Sequence, residues 1–386
     1  MSEFKIEIPH YVKKIMDEIK RRDFEAYIVG GCVRDSILNV TPKDWDVITN
    51  ARPEDVKEMF DCCSEIGLKY GAITVFLNGQ KVEVATYRID KNYVDGRHPE
   101  SVFFVDNLDE DLKRRDFTMN ALAYNDKEGL RDIFGGIKDI NLKIIKVIGK
   151  AQNRFCEDYL RMLRAVRFGC QCGFELNEEI KFEIKKSSYL IQNLEVSLIR
   201  SEFDKMLLSD FPQKMKLLVE TGLDKYIVPG FAECFCVEQT SKYHIFNVGD
   251  HIMEVLRNIE PGLELRLSAF FHDFGKIKIG IKHGETVHFK DHQIVSCVMA
   301  NEIMLRLGYG FKIRRKVMKL IEFHDAVFDI DFDSIKNAVH AVGGITQFKR
   351  LLKLQRADSL GKNLEYLSKK IEYIKTIESV LDKCYK

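Results

Sequence analysis

The hydrophobic pattern of the chain changes near residue 142, and this change constrains the fold more than any other feature. Before it, short runs rich in Val, Ile, Thr and aromatic residues, such as AITVFLN and KVEVATYR, predict β-strands mixed with helices. After it, strand-like runs fade and long amphipathic patterns predict helices, one of which ends near Gly169 or Gly173. The predicted organisation is an α+β head, an all-α neck and body, and a helical C-terminal region: residues 1–142, 143–237 and 238–386.

Composition limits the class of protein. Of the 386 residues, 45% are hydrophobic and 31% are charged, which is the composition of a soluble globular protein with two to four compact units. The formal net charge is +1, so a nucleic-acid site would depend on local charge rather than on a global field. Residues 341–386 hold ten Lys and Arg against five Asp and Glu, which indicates either a basic contact surface or simply a solvated helix face.

Cysteine spacing and the N-terminal segment bear on the compartment. The ten cysteines show no CxxC spacing typical of zinc or redox sites, so free thiols in a reducing cytosol are expected. Residues 1–24 lack the apolar core of a signal peptide, and no run approaches the ~20 apolar residues needed to span a bilayer. We therefore predict a cytoplasmic protein without membrane contact.

Two aspartates in the stretch KDWDVIT, Asp44 and Asp46, are separated by Trp45. If the stretch is a strand, the two carboxylates point to one face and the tryptophan points to the other. Like charges at this spacing repel each other unless a cation lies between them, and Mg²⁺ is commonly held by carboxylates together with substrate phosphates. The pattern favours phosphoryl or nucleotidyl transfer, although an isolated DxD is more often a solvated acidic edge.

A glycine turn precedes the acidic pair. AYIVGGCVRD predicts a strand, a turn and a helix, and Gly30 and Gly31 allow a ligand to approach the backbone closely. The N-terminal amides of the helix favour phosphate, and the guanidinium of Arg34 offers donors to a triphosphate. The strand, the GG turn, the helix and the DxD strand follow one another closely and therefore predict one site.

The order of these motifs resembles a known family. GGCVRDSIL followed by KDWDVITNARPEDV resembles the signature of the class II nucleotidyltransferases, which are the bacterial-type CCA-adding tRNA nucleotidyltransferases and their poly(A) polymerase relatives. The resemblance implies a polymerase-beta-like nucleotidyltransferase head with a mixed β-sheet, in which Asp44 and Asp46 are catalytic and bind Mg²⁺. It also implies that Gly31 and Arg34 contact the incoming nucleotide.

RRDFTMNALA, residues 114–123, is similar to the RRDFTxNAxA motif of the same family. The resemblance assigns nucleotide contacts to Arg115, Asp116 and Asn120, of which the arginine can meet phosphate and the other two can hydrogen bond ribose hydroxyls. The alternative is a structural helix capped by Asp116. DIFGGIKD, residues 132–139, is similar to the next stretch of the family and is interpreted either as a hinge or as an ordinary turn.

EDYLRMLRAVRF, residues 157–168, is predicted to be a helix on which four polar residues recur at steps of three: Asp158, Arg161, Arg164 and Arg167. By itself, this pattern is typical of a solvated helix face. The family carries EDxxR and RAxRF in this order, which implies that Asp158 and Arg161 pair with the incoming base and that the other two arginines contact the nucleotide. An acceptor beside a guanidinium suits C or A and lacks the pattern for G.

Two further features lie near the acidic strand. DGRHPESVFF, residues 95–104, resembles the flexible loop of CCA-adding and A-adding family members, which CC-only members lack. Glu83, in the run KVEVATYR, is a candidate third carboxylate beside Asp44 and Asp46, or else a surface residue.

Histidines and aspartates accumulate in the C-terminal region, where an adjacent His–Asp pair lies inside an apolar helix. This pattern fits a metal held between helices by nitrogen and oxygen ligands. The order resembles an HD-superfamily phosphohydrolase domain, which implies a divalent transition-metal site with these ligands: His251, His272, Asp273, His292, His324 and Asp358. Two further histidines, His283 and His288, have no position in this ligand order. The resemblance implies hydrolysis of phosphate esters by a metal-activated water, and a domain that only supports tRNA binding is the alternative.

Together the motifs predict an enzyme that adds CCA to tRNA 3′ ends from CTP and ATP without a nucleic-acid template and releases pyrophosphate. Its expected partners are tRNA, ATP and CTP. A poly(A) polymerase, or a tRNA enzyme that adds A alone, is the alternative within the same class. A nucleotide phosphodiesterase or phosphatase of the HD type, with a head that only binds RNA, is the alternative from a different class.

Overall fold

A computed structural model describes residues 5–93, 95–239, 245–283 and 286–385, with only the backbone described for 281–283 and 286–288. The chain folds into two units, each with its own core. The head unit comprises residues 1–161 and 174–183, and the helical unit comprises residues 162–173 and 184–386. The predicted domain boundaries near residues 142 and 237 stay predictions.

The head unit is built on a mixed sheet. Its strands are β1 (Ala26–Val29), β2 (Asp46–Thr49), β3 (Cys63–Ser64), β4 (Ala72–Leu77), β5 (Gln80–Thr86), β6 (Arg88–Tyr93), β7 (Pro99–Phe104), β8 (Leu122–Asn125), β9 (Gly129–Asp132), β10 (Ile144–Ile145) and β11 (Glu175–Leu176). Among the described residues, seven of them form one sheet in the order β3-β4-β5-β2-β1-β8-β9. Strand β2 pairs with β1 in antiparallel and with β5 in parallel orientation, so it lies inside the sheet. A separate antiparallel hairpin consists of β6 and β7.

Helices and a hydrophobic core cover this sheet. The helices that lie wholly in the head unit are α1 (His10–Arg21), α2 (Gly31–Ile37), α3 (Pro53–Met59), α4 (Leu108–Lys113), α5 (Gly136–Asn141) and α6 (Ala151–Glu157). Helix α1 buries Val12, Ile15, Met16 and Ile19, the spacing that gives a helix one apolar face. The core beneath the acidic strand includes Tyr27, Val29, Ile48, Tyr87, Leu108, Leu112, Ala121, Ala123 and Ile148. Val47, Ile48 and Thr49 are all buried, because β2 is covered on both faces.

The helical unit supplies most of the remaining helices. Two helices cross the unit boundary, α7 (Leu160–Cys172) and α8 (Glu178–Ser187). The others are α9 (Val196–Leu207), α10 (Leu217–Glu220), α11 (Asp224–Ile227), α12 (Phe231–Cys234), α13 (Val248–Asn258), α14 (Leu263–Phe271), α15 (Lys276–Ile279), α16 (His292–Arg306), α17 (Phe311–Phe323), α18 (Phe332–Val342), α19 (Ile345–Leu360) and α20 (Leu364–Cys384). A short hairpin of β12 (Ile281–His283) and β13 (Thr286–His288) lies between α15 and α16.

The predicted fold class is confirmed: a head with a mixed sheet and helices precedes a helical body. Within that body, α14 packs against α17, and α13 packs against α14 and α19. All ten cysteines are free thiols. No helix in the described part of the chain has both the length and the apolar character required to cross a membrane.

Candidate active site and candidate metal centre

The acidic pair lies at the beginning of β2. The strand begins at Asp46, so the prediction that Asp44 belongs to it was wrong. Asp44 lies in a bend after Pro42, which lacks the amide hydrogen that a sheet ladder requires. The predicted alternation is nevertheless present, because both aspartates are exposed and Trp45 between them is 7% exposed.

Glu83 lies directly opposite Asp46, because the parallel pairing of β2 with β5 puts these two residues in register. The pKa of the Asp46 carboxyl is raised to about 6, and the largest cause is loss of hydration to neighbouring atoms. The residue nevertheless remains exposed to solvent. The negative charges of Glu83 and Asp44 also raise this pKa, and the positive charge of Arg115 opposes them. This excess of negative charge fits a divalent cation. The oxygens of these three carboxylates do not all lie within 4.8 Å of one another, unlike the ligand atoms of other groups in the described residues.

The raised pKa has a consequence for stability. Because the pKa of Asp46 in the folded protein lies above the ordinary value of 3.8, ionisation of this carboxyl opposes folding. Its stabilising contribution is fully present below about pH 4 and is lost as the pH rises through about 6. In metal-free buffer, Asp46→Asn is predicted to abolish this loss and to raise the melting temperature at about pH 7.5. Thermal unfolding followed by circular dichroism checks this, and a variant that melts no higher than the wild type contradicts it.

The glycine turn brings the start of α2 next to the RRD motif. Gly30 has φ +79° and ψ −126°, a conformation that favours glycine. The Nη1 atom of Arg34 donates to Oδ1 of Asn120 at 2.6 Å, while its Nε and Nη2 atoms donate to Oδ1 of Asp35 at 2.9 and 2.7 Å. The guanidinium is buried, with the residue 7% exposed. Arg34 is therefore fixed in place by two side chains.

Asp116 and Asn120 extend the same network. The Nδ2 atom of Asn120 donates to Oδ1 of Asp116 at 3.1 Å, and the backbone amide of Phe117 donates to the same oxygen at 2.8 Å. The alternative of a helix capped by Asp116 is wrong, because a 3₁₀ turn, Thr118–Asn120, leads directly into β8. The structure thus brings together three of the predicted nucleotide-binding residues, Arg34, Asp116 and Asn120.

Arg115 lies between this network and the acidic strand. A Cβ atom built on Gly30 would lie 3.3 Å from Nη1 of Arg115, so the guanidinium rests against the glycine turn. Its Nη2 atom donates to Oδ2 of Asp111 at 3.1 Å. Its Nε atom is buried and has no hydrogen-bond partner within the described residues. An unsatisfied donor at this position calls for a ligand or a water.

The DIFGGIKD stretch runs from the last residue of β9 through a bend into α5, and its aspartates have structural partners. Both carboxylate oxygens of Asp132 accept from backbone amides at the start of α5, those of Gly136 and Ile137, at 2.8 and 2.9 Å. Asp139 accepts from the hydroxyl of Thr118 at 2.7 Å. These contacts attach α5 to the RRD motif, and the interpretation of the stretch as a hinge stays a prediction.

The predicted base-selecting helix is interrupted. Helix α6 ends at Glu157, Asp158 is extended with φ −139°, and α7 begins at Leu160, so the prediction of one continuous helix was wrong. The physical reason is local, because Oδ1 of Asp158 accepts from the amide of Leu160 at 3.0 Å and so favours a helix start. Asp158 and Arg161 are buried, with 8% and 6% exposed, so they are not the solvated face that the spacing alone suggests.

The tip of the β6–β7 hairpin contacts the same place. Nη1 of Arg97 lies 2.6 Å from Oδ2 of Asp158, and the amide of Tyr159 donates to the carbonyl of Gly96 at 2.8 Å. Arg161 instead pairs with Oε2 of Glu157 at 2.6 Å. The predicted loop of residues 95–104 is therefore a short tip followed by strand β7. No sequence pattern indicated that Arg97 would pair with Asp158.

Arg164 and Arg167 lie in the helical unit, on the part of α7 beyond the unit boundary. Nε of Arg167 lies 2.6 Å from Oε2 of Glu202, and its guanidinium stacks 4.0 Å from the ring centroid of Phe168. Arg164 lies 5.4 Å from the same ring. Their predicted role in nucleotide binding, like that of Asp158 and Arg161, stays a prediction.

The six predicted HD-domain ligands converge in the core of the helical unit. None is more than 6% exposed: His251, His272, Asp273, His292, His324 and Asp358. Nε2 of His251 lies 2.9 Å from Oδ1 of Asp358 and 3.3 Å from Nε2 of His272. Oδ1 of Asp273 lies 3.1 Å from Nε2 of His292. Side chains far apart in the sequence thus form one cluster, and the side chain of the spare His288 lies outside the described part.

The orientation of the imidazole rings fits a metal. The Nδ1–H groups of His272, His292 and His324 donate to the carbonyls of the residues three positions earlier, at 2.8, 3.0 and 2.7 Å. Each ring then turns its Nε2 towards the cluster, and the neutral tautomer with its proton on Nδ1 would leave Nε2 able to bind a metal. Nε2 of His292 lies 3.2 Å from Nε2 of His324, a separation that a proton on one ring or a cation bound by both rings accommodates. Metal-ligating histidines are commonly fixed by such carbonyl contacts.

Two lysines with largely buried side chains border the cluster. Nζ of Lys276 lies 2.7 Å from Oδ2 of Asp273, and Nζ of Lys362 lies 2.7 Å from Oδ2 of Asp358. Burial alone would lower the pKa of Lys362, but the carboxylates of Asp358 and Asp325 raise it above its ordinary value. Burial would raise the pKa of Asp358, but Lys362 and His251 hold it well below its ordinary value.

The sequence reasoning missed both lysines. Each follows an assigned aspartate by three or four positions, the spacing that puts two side chains on the same side of a helical turn. That spacing was the signal that could have identified them.

Comparison with known families agrees with this geometry. Residues 26–146 match the model described as "Poly A polymerase head domain", and residues 242–362 match the HD domain. Residues 173–235 match "Probable RNA and SrmB- binding site of polymerase A". The N-terminal part of the chain is thus similar to the poly A polymerase head domain. The described residues of the head match include the GG turn, the acidic strand and the RRD motif, and those of the HD match include all six clustered ligands.

The chain is similar in sequence to proteins named CCA-adding enzyme. The CCA-adding enzyme of Lactobacillus delbrueckii subsp. bulgaricus is 44% identical over 219 residues, which cover 56% of this chain and 55% of that enzyme. The CCA-adding enzyme of Geobacillus kaustophilus is 43% identical over 219 residues, 56% of this chain and 54% of that enzyme. The match thus spans about half the length of these relatives.

A solved structure covers more of the chain. The CCA-adding enzyme of Bacillus stearothermophilus in complex with CTP superimposes with a TM-score of 0.71 and 25% identity, over 97% of this chain and 82% of that one. The Thermotoga maritima CCA-adding enzyme complexed with tRNA has a TM-score of 0.60 and 19% identity, over 100% of this chain and 87% of that one, which shows a shared fold.

Proposed function

We propose that the chain is a tRNA nucleotidyltransferase that adds CCA to tRNA 3′ ends from CTP and ATP. The proposal rests mainly on the position of Arg115. Its guanidinium lies against the Gly30 turn, and its positive charge opposes the rise in the pKa of Asp46. Its buried Nε–H has no hydrogen-bond acceptor among the described residues. A donor in this position suits the phosphates of a nucleotide whose reacting phosphorus lies near the acidic strand. The 44% identity to a CCA-adding enzyme supports the same activity.

Different residues of the head are proposed to bind the metal, the triphosphate and the ribose. Asp44 and Asp46 would hold Mg²⁺, which would help the RNA 3′ hydroxyl attack the α-phosphate and would neutralise the departing pyrophosphate. Arg115 binds the triphosphate beside the glycine turn. Asp116 and Asn120, held by Arg34, hydrogen bond the ribose, and Gly31 leaves room for the nucleotide at the start of α2.

Asp158 and Arg161 are proposed to select the base. In the structure both have protein partners, since Arg97 binds Asp158 and Glu157 binds Arg161. A base that pairs with these two residues therefore has to displace or rearrange the Arg97 contact. The β6–β7 hairpin, through Arg97, thus controls whether Asp158 is available to pair with a base. Arg164 and Arg167 are proposed to contact the same nucleotide.

The test of the proposal is an incubation with three substrates. The purified chain is given tRNA that ends at the discriminator base, tRNA that ends in CC, and an RNA that is not a tRNA, each with CTP and ATP alone and together. We expect CCA on the first substrate, A on the second and no product on the third. Addition of A alone to tRNA-CC would establish the A-adding enzyme, and long A tails on any RNA would establish the poly(A) polymerase.

Binding of tRNA should depend strongly on salt. The basic excess in residues 341–386 and the match of residues 173–235 to an RNA-binding region both favour contacts to phosphates. Release of counterions from such contacts makes the affinity fall steeply as salt rises, by about a thousandfold between 50 and 200 mM for six or more contacts. Filter binding or fluorescence anisotropy at several salt concentrations measures this, and an affinity independent of salt contradicts it.

A second activity is proposed for the HD cluster, which we expect to hold a divalent transition metal and to hydrolyse phosphate esters of nucleotides. The convergence of three Nε2 atoms, on rings whose Nδ1–H groups are held by backbone carbonyls, favours metal binding. Such a metal would activate a water for attack on phosphorus. Lys276 and Lys362, each 2.7 Å from a ligand carboxylate, can shift to the phosphate oxygens of a substrate.

A further inference from the structure

Asp111, in the last turn of α4, is a buried carboxylate with no assigned part in the chemistry of the head. Its side chain is 0% exposed, and burial of an ion is costly unless charged and hydrogen-bonding partners surround it. Burial alone would raise the pKa of Asp111, but the guanidinium groups of Arg114 and Arg115 hold it below its ordinary value. The carboxylate is therefore ionised at neutral pH and engaged by these two arginines.

The two oxygens of Asp111 serve different partners. Oδ1 accepts from Nε of Arg114 at 2.8 Å and from the backbone amide of Arg88, the first residue of β6, at 3.2 Å. Oδ2 accepts from Nη2 of Arg115 at 3.1 Å. Spacings of three and four residues bring both arginines within reach of one carboxylate at the end of a helix. Oδ1 thus anchors the local backbone, and Oδ2 faces the arginine that lies beside the glycine turn.

Arg114 and Arg115 differ in how they are held. Arg114 has a second carboxylate, because its Nη1 atom also donates to Oδ2 of Asp90 at 3.3 Å. Among the described residues, the side chain of Arg115 has one ion-pair partner, Asp111. Its Nη1 atom lies against Gly30, and its buried Nε–H has no acceptor in the same part of the chain. The orientation of the Arg115 guanidinium therefore depends on Oδ2 of Asp111.

The charges around Asp111 leave a positive surplus. Three guanidinium groups contact two carboxylates, so the network keeps one positive charge: Arg88, Arg114 and Arg115 against Asp90 and Asp111. Asp111 therefore fixes Arg115 without cancelling the attraction of the network for an anion. A guanidinium that is held in advance also loses less conformational entropy when it binds a phosphate.

We propose that Asp111 is a positioning residue for nucleotide binding, whose Oδ2 atom holds the Arg115 guanidinium against the glycine turn and leaves its Nε–H for the triphosphate. This inference rests on the proposed nucleotidyl-transfer function and deepens it. Asp111 does not touch the nucleotide, so its influence passes through Arg115. Replacing Asp111 should weaken binding of the phosphates alone, because the Asp116–Asn120 pair, which is proposed to bind the ribose, is held by its own hydrogen bonds.

Nucleotide binding without RNA tests the proposal. Calorimetry measures the affinity of the full-length wild type and of Asp111→Asn for ATP with Mg²⁺ and, by competition, for adenosine, which lacks the phosphates. We expect the variant to bind ATP about tenfold more weakly and adenosine with wild-type affinity. In a chain that also carries Arg115→Gln, Asp111→Asn should cause no further loss. Asp109→Asn, which changes an aspartate of α4 that pairs with Arg131, is the matched control and should bind both ligands as the wild type does.

Each outcome decides the question. Unchanged ATP binding by Asp111→Asn, equal weakening of ATP and adenosine, or a further loss in the Arg115→Gln background would overturn the role of Asp111 and leave the proposed function standing. A wild-type chain that binds neither ATP nor CTP would overturn the proposed function together with this inference. Because loss of a buried charge can prevent folding, circular dichroism accompanies each titration. Asp111→Glu, which keeps the charge but displaces the carboxylate, is the second variant and should show the same difference between ATP and adenosine.

Discussion

Asp46→Asn is expected to reduce CCA addition by about a thousandfold or more, because the change removes one of the two charges that would hold Mg²⁺ at the reacting phosphate. Asp44→Asn is expected to have a similar effect. Both changes keep the size of the side chain, so they test charge rather than packing. Single-turnover addition to tRNA ending in CC, with saturating ATP, measures the loss.

The matched control is Asp61→Asn, which neutralises an exposed aspartate of the same unit in the bend before β3. This variant should add nucleotides at the wild-type rate. The Asp46→Asn protein should retain the hydrolytic activity proposed for the HD cluster, because that cluster lies wholly in the helical unit. Addition at more than a tenth of the wild-type rate by Asp46→Asn would contradict the assignment of Asp46 as a metal ligand.

The sequence predicted the parts of the head that depend on local pattern. The predicted alternation is present: Asp44 and Asp46 are exposed and Trp45 is buried, although the strand begins only at Asp46. The strand boundary could not be predicted, because it depends on the bend after Pro42 and on pairing with β5. That same pairing put Glu83 opposite Asp46, a contact that depends on the register of two strands far apart in the sequence.

Other elements of the head were missed because their structure is set by distant partners. Strand β7, Pro99–Phe104, lies in a stretch whose Asp, Gly and Pro content is typical of a loop, and it is a strand because β6 pairs with it. Strand β8 is buried at every position, so it lacks the alternation that identifies a half-exposed strand. The helix break at Asp158 results from a side-chain cap that competes with helix continuation.

The metal cluster shows a different limit of sequence reasoning. The order of histidines and aspartates gave the six buried residues, because each type of ligand is chemically distinctive. The two lysines beside these carboxylates, Lys276 and Lys362, were missed although their spacing of three and four residues from Asp273 and Asp358 is a local signal. The distances between ligands on different helices, such as the 2.9 Å from His251 to Asp358, depend on how those helices pack, which no single segment encodes.

Asp273→Asn is expected to reduce phosphate-ester hydrolysis by about a thousandfold while leaving CCA addition unchanged. Both oxygens of Asp273 face histidines of the cluster, so an amide at this position removes the charge that would bridge them. The change also leaves Lys276 with a neutral neighbour in place of the carboxylate 2.7 Å away, so the melting temperature has to be measured with the activity. Release of phosphate from nucleotides and opening of 2′,3′-cyclic phosphates are the assays.

Asp333→Asn, which changes an exposed aspartate in the first turn of α18, is the matched control and should retain both activities. If Asp273→Asn folds but loses addition together with hydrolysis, the two sites are not independent. If it retains hydrolysis, the cluster is not the hydrolytic centre. Because addition is measured in the same preparation, its retention shows that loss of hydrolysis arises from the missing carboxylate and not from an unfolded chain.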